Sequence, residues 1–386
     1  MHDVGLIYSD DFLKYDFGRS HPLNQVRLKL TFELLKSYGV TKNPHVKVFK
    51  PPLAKEEDVL LVHDKAYVDY VKKISAKEFE VGEYYRCGFG PGDNPVFENA
   101  FEASCFHVGG TLLAADLVME KKVEHAFSIG GGYHHALRDR ASGFCVFNDP
   151  AIAIKHLQKE YKLKRIMYID VDAHHGDGVQ WLFFDDPSVM TISLHESGRH
   201  LFPGTGFVEE SGKDEAAGTK VNVPLPMDTT DGPYVYAFKE VVVPLVRSFK
   251  PEFILTQFGA DAHEMDPLTH LALTTRSYLE VSKMFHELAH EVSNGRWICV
   301  TGGGYDVTAC PRIWTVMFSQ MAELKLEPHM PEEFIKLCDS MLGYKPQREL
   351  MDPERVLNDG ELEHSMRTVE KVVDEIKAKI FPRHNL

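Results

Sequence analysis

The sequence predicts an α/β fold: one open, mostly parallel sheet flanked by helices, with the active site along the C-terminal edge of the strands. Three observations carry that prediction. Short apolar, β-branched runs alternate with helical patterns, the order expected of βαβ units around a parallel sheet. The runs are apolar throughout, as strands buried on both faces are. Polar or glycine-rich residues follow each run, and in a parallel sheet such strand ends share one edge, where ligand crevices form.

In chain order, the first clear strand is VEHAFSIG (123–130), followed by a glycine run and the tandem His134-His135. A helix is expected from Asp149-Pro150 through AIAIKHLQKEYK, because Asp can cap a helix and Pro suits its first turn. RIMYIDV (165–171) is the second strand and leads into DAHHGDG; VMTISLH (189–195) is the third and leads into ESG. A helix over about 233–249 precedes the fourth strand, FILTQFGA (253–260), which ends in DAHEMD. Another helix over about 277–293 precedes the fifth strand, WICVTGG (297–303), which ends in GYD. The segments 332–342 and 361–380 read as peripheral helices that clasp the outside. No repeat, low-complexity tract or long Pro/Gly/Ser linker divides the chain, so 1–386 is expected to be one domain, with 331–386 as its peripheral helical part.

Composition narrows the function. Apolar residues make up 44% of the 386 and charged residues 26%, the balance of a globular protein with a large core. The formal charge of -14, from 57 acidic and 43 basic residues, repels phosphate backbones and anionic membranes, so neither nucleic acid nor membrane is an expected partner. The six cysteines, Cys87, Cys105, Cys145, Cys299, Cys310 and Cys338, form no CxxC pair. With no leader pattern at MHDVGLIYSDD and only the short apolar stretch VVVPLV from Val241, a reduced cytoplasm is the expected location. The sequence carries no signal for oligomeric state.

The densest chemistry is Asp170, Asp172, His174, His175 and Asp177 in YIDVDAHHGDG. Residues two apart on an extended strand project to one side, so Asp172 and His174 can grip one ion. A third ligand should come from another strand end; Asp261 is the natural candidate, with His263, Glu264 and Asp266 as rivals. Two carboxylates and one imidazole suit Zn²⁺ or another divalent transition metal and leave a position for water. His134 and His135 can take a proton from that water and return one to a leaving amine. Asp170 and Asp177 remain to orient the histidines. Tyr305, directly after Gly302-Gly303-Gly304, can donate to an oxyanion.

With these residues in place, the chain resembles the histone deacetylase family, particularly its prokaryotic acetoin-utilisation (AcuC-type) branch. The marks are HPL at His21, GGGYHHALRDRASGFCVFND, YIDVDAHHGDGVQ, TISLHESG with FPGTG, QFGADAHEMDPL and GGGYD, in the family's order over most of the chain. The resemblance implies an arginase/deacetylase-like sheet and metal-dependent removal of acetate from acetyl-lysine in proteins or peptides. By motif position, it implies Zn²⁺, or Fe²⁺ in its place, on Asp172, His174 and Asp261. It implies His135 as general base and acid, partnered by Asp177; His134 as its supporting neighbour, partnered by Asp170; and Tyr305 as donor to the substrate carbonyl. It further implies a tube walled by Gly143, Phe144, Phe202 and Leu268, and a monovalent cation, K⁺ or Na⁺, near Asp170, Asp172, His174, Ser193 and Leu194.

Two departures bear on substrate. The rim loop GFGPGDNPVF offers Asp93 without matching the family residue by residue, and His263 with Glu264 replace the small residues of eukaryotic relatives. The rival readings are an acetylpolyamine amidohydrolase, a binuclear ureohydrolase with more bridging carboxylates, and a silent binder of acetylated ligands.

Overall fold

In the computed structural model, which describes residues 2–79, 82, 84–355 and 359–386, eight strands form one wholly parallel sheet. They are β1 (Val4–Ile7), β2 (Val46–Phe49), β3 (His125–Ser128), β4 (Ile166–Asp170), β5 (Val189–Glu196), β6 (Lys220–Leu225), β7 (Phe253–Gln257) and β8 (Trp297–Val300). Their spatial order is β2-β1-β3-β8-β7-β4-β5-β6. The chain thus builds both flanks first and inserts β7 and β8 last, between β3 and β4.

The principal helices are α1 (Val26–Ser37), α2 (Lys65–Ser75), α3 (Ala100–Met119), α4 (Asp149–Glu160), α5 (Asp177–Leu182), α6 (Asp231–Ala237), α7 (Thr275–Ser293), α8 (Ala309–Met321), α9 (Glu332–Leu342) and α10 (Asp359–Lys379). They cover both faces of the sheet. Alternation along β3 sends His125 and Phe127 to one face, where they meet His286 and His290 of α7 and Phe318 of α8. Ser128 points to the other face, towards Gly110 of α3. Double coverage explains the unbroken apolar runs. Ile166, Met167 and Ile169 of β4 are wholly buried, each worth roughly 1.5–3 kcal/mol relative to exposure.

The five expected strands and the expected helices are present, with local differences. The Gly-rich tail of the fifth predicted strand leaves the sheet after Val300. Asn148, not Asp149, caps α4: its side chain accepts from Ala151 N at 3.0 Å, which frees Asp149 to point inward. The 233–249 helix begins at Asp231 as α6 (Asp231–Ala237) and passes through a π-helical turn (Phe238–Val242) into Val243–Phe249. Pro244 follows that turn; it has no N–H to donate and its ring crowds the preceding turn, so a widened turn accommodates it. α9 packs on α1 through Phe334, Ile335 and Cys338. α10 lays Val369, Val373 and Ile376 against β6 and α6.

Candidate active site

The chain order of strands reverses between β3 and β4, and the loops after β3, β4, β7 and β8 converge there, at the position where open α/β sheets form ligand crevices. Each loop delivers part of one polar cluster.

Asp172 and His174, just past β4, meet Asp261, just past β7; their ligand atoms lie within 4.8 Å of one another. His174 Nδ1 faces Asp261 Oδ2 at 2.9 Å and Asp172 Oδ1 at 3.1 Å. Other donors hold both carboxylates in place. Asp172 Oδ2 accepts from Gln257 Nε2 (2.6 Å) and Gly303 N (2.7 Å), and Asp261 Oδ1 accepts from Ala173 N (2.8 Å). A Cβ at position 303 would stand 2.0 Å from Asp261 Oδ2, so glycine there is what lets the β8 loop close over the carboxylates. Burial, then the charge of Asp172, pushes the Asp261 carboxyl up to about 8. Two buried carboxylates around one imidazole form a set that a divalent cation would neutralise, and the donor types fit Zn²⁺ or Fe²⁺. The rivals point elsewhere. His263 Nε2 bonds to Asp352 (2.9 Å), Glu264 pairs with Arg355 (3.2 Å), and Asp266 accepts from Leu268 N and Tyr305 N.

Beside this cluster lie His134 and His135, their ring centroids 3.9 Å apart. His134 Nδ1 donates to Asp170 Oδ2 (2.7 Å), which also accepts from Tyr168 OH (2.6 Å); His135 Nδ1 donates to Asp177 Oδ1 (2.6 Å). The two imidazoles diverge electrostatically. Burial lowers the pKa of His134, but the charges of Asp170 and Asp172 and the bond to Asp170 outweigh it and raise it to about 9. Burial, reinforced by His134, takes His135 down to about 4 despite Asp177. The loop carrying both is anchored by Asp149, whose carboxylate accepts from Thr111 Oγ1 and from Gly132 N and Tyr133 N.

Tyr305 closes the opposite wall, 6.3 Å from His174 and 5.6 Å from Phe144 between ring centroids. Burial first, then the charges of Asp261 and Asp172, raises its phenol well above the usual value of 10, so it stays protonated. Phe202, 41% exposed, stands 5.1 Å from the His135 ring, and a Cβ on Gly143 would meet both rings. Phe144 and Phe202 thus flank the opening above His135 and Tyr305. Leu268 shares a surface groove with Phe144, His21 and Asp93, where His21 Nε2 donates to Asp93 O at 3.2 Å. Asp170 and Ser193 are register partners on β4 and β5, and the Ser193 hydroxyl bonds to His195 Nδ1 at 2.8 Å. Leu194 is wholly buried in β5.

Two residues escaped the sequence reading. Gln257 sits inside an apolar run, and its only signal is an amide where a buried strand has no use for one. Arg27, on α1, is buried and donates to the carbonyls of Gly302 (2.7 Å) and Gly304 (2.9 Å). With Leu23 and Tyr133 it lines a cavity continuous with His134, His135, Gly143, Phe144 and Tyr305.

Comparison with known proteins identifies the family and the fold. Residues 21–321 match the histone deacetylase domain. The acetoin utilization protein AcuC of Bacillus subtilis (strain 168) is 44% identical over 336 residues, 87% of this chain and 86% of that protein. AcuC of Staphylococcus aureus (strain MSSA476) is 41% identical over 331 residues, 85% of this chain and 84% of that protein. Among solved structures, an HDAC homologue from Aquifex aeolicus superposes with a TM-score of 0.86 at 28% identity, covering 97% of this chain and all of that one. An HDAC homologue solved in complex with SAHA gives 0.85 at 29% identity, covering 95% of this chain and all of that one.

Proposed function

This chain belongs to the histone deacetylase family, in its AcuC-type branch, and is a deacetylase; from that premise we propose that it hydrolyses the acetamide of N-acetyl-lysine in proteins or peptides, releasing acetate. The observation that carries the reading is the meeting of three buried metal-ligand side chains with two histidines, each backed by its own aspartate.

Asp172, His174 and Asp261 would hold the divalent cation, Zn²⁺ in this reading with Fe²⁺ as the alternative, and when bound it supplies polarisation of the amide carbonyl and acidification of a water. His135 is the general base: Asp177 occupies Nδ1–H, which leaves Nε2 to take the proton of the attacking water, and its low pKa keeps it neutral at pH 7. The same nitrogen then returns that proton to the leaving amine. His134, held by Asp170 through Nδ1–H, would stabilise the negative charge that develops beside it. Tyr305 donates its phenolic hydrogen to the oxyanion from the opposite wall. Phe144 and Phe202 bury the methylenes of a slender side chain; Gly143 makes room between them, and Leu268 extends the apolar surface at the rim. A K⁺ or Na⁺ near Asp170, Asp172, His174, Ser193 and Leu194 would stiffen the base of the site, and 1–386 acts as one domain.

The test is acetate release from an acetyl-lysine peptide by metal-stripped protein, before and after one equivalent of Zn²⁺ is restored. Turnover that appears only with metal is expected. Silence on the peptide with turnover of an acetylpolyamine would transfer the same site to that substrate, and silence on both would leave a binder. The ureohydrolase reading is disfavoured because, among the described residues, the group that could hold a metal here has three members and no further bridging carboxylate.

A further inference from the structure

A second cluster of metal-ligand side chains lies at the other end of the same sheet. His125 opens β3 at its N-terminal end, so the length of the strands separates it from the crevice. His286 and His290, four apart near the C-terminal end of α7, share one helix face and turn towards it. His290 Nε2 stands 3.3 Å from His125 Nε2 and 3.0 Å from His286 Nε2, and the ligand atoms of all three rings lie within 4.8 Å of one another.

Ordinary packing does not account for this arrangement. A structural histidine in a core has both nitrogens satisfied by the protein. His125 is wholly buried, the Gly295 backbone lies against its ring, and its Nε2 faces only another imidazole. On the outer side, Glu124 Oε1 faces His290 Nδ1 at 3.4 Å, the carboxylate–histidine pairing that fixes a ligand's tautomer and leaves Nε2 as a lone pair. With its proton on Nδ1, His290 can accept through Nε2 from only one of its two neighbours, and a cation shared by the three lone pairs satisfies the nitrogen left over. The C-terminal end of α7 adds favourable dipole for positive charge. The side chain of His290 keeps 33% of its surface exposed, and that of His2, paired with Glu124, keeps 47%, so an ion and a water have access from solvent.

We propose that His125, His286 and His290 form a second metal site, for Zn²⁺ or another borderline divalent ion, completed by a water and supported by Glu124. Three imidazoles and an open position match the donor preference of such ions. The ion would clip the end of α7 to the start of β3.

Metal-stripped full-length protein is titrated with Zn²⁺ and bound metal is counted. The wild type is expected to take two equivalents, and the His286→Ala/His290→Ala double variant one, with unchanged turnover and without the rise in Tm that the second equivalent brings to the wild type. Glu124→Gln should keep two equivalents while weakening the second ~10–100-fold. His2→Ala should keep both; loss of the second equivalent there would overturn the assignment to His125. One equivalent in the wild type, or equal counts in wild type and folded double variant, overturns the site. If the double variant does not fold, zinc K-edge X-ray absorption of the wild type decides: imidazole scattering in the difference between the two-equivalent and one-equivalent spectra supports the site, and its absence overturns it. Because metal is counted, the outcome stands whether or not the peptide is a substrate.

Discussion

His134 and His135 are adjacent in sequence, yet a different aspartate stands behind each, and that difference assigns their work. Removing the neutral partner should be the more damaging: His135→Ala is expected to lower kcat by ~10²–10⁴-fold with KM little changed. Steady-state acetate release checks it, and near-normal turnover by metal-loaded His135→Ala would refute the base assignment. Tyr305→Phe keeps the ring packed on Phe144 and removes only the donor, so a loss of ~10²–10³-fold in kcat is expected, again with little change in KM. These side chains were legible in the sequence because each is polar and follows directly on a run that must be buried. Gln257 and Arg27 were not. Gln257 is uncharged within an apolar run, and Arg27 lies on a helix far from any motif, where its contact with the Gly302 and Gly304 carbonyls exists only after folding.

At the level of elements, the loop after β8 is positioned by closeness. Gly303→Ala would drive a methyl group into the Asp261 and Asp172 carboxylates; metal affinity and turnover should fall sharply while circular dichroism and Tm stay near wild type. Unchanged zinc affinity would show that the loop can relax. The same scale explains which strands the sequence hid. β2 is an edge strand with Lys47 and Val48 exposed, and β1 carries a glycine among its four residues, which weakens a strand pattern. β6 contains Lys220, Asn222 and Pro224, which argue against a strand. Its place at the sheet edge tolerates the proline, and Lys220 Nζ is satisfied by the Asp186 and Val189 carbonyls and Thr219 Oγ1. The central strands were readable because two-sided burial leaves a continuous apolar run.

Across the whole molecule, buried neutral histidines make the fold sensitive to acid. His63 donates to Leu137 O and accepts from Asn148 N, and His195 donates to Gly206 O and accepts from Ser193; burial holds both near 4, against 6.5 for a free imidazole. The unfolded chain therefore binds protons that the folded chain does not. The stability these groups contribute is present above pH 6.5 and is lost as pH falls from there to about 4, at about 1.4 kcal/mol per pH unit for each. His134 has the opposite sign in metal-free protein: raised to about 9, its contribution is complete below 6.5 and is lost as pH rises through about 9. Tm should thus decline on the acid side below pH 6.5. A flat profile down to pH 4 would contradict it.

The insertion of β7 and β8 between β3 and β4 also constrains how the protein is made. A ribosome delivers β1 to β6 while the middle of the sheet is still missing, so the nascent chain carries two half-sheets with bare inner edges until residue 300 has emerged. Neither half can be joined earlier, because the joining strands are the last of the sheet to be translated. A chain halted near residue 250 should therefore aggregate rather than stay dispersed, as sedimentation of the truncated chain would show.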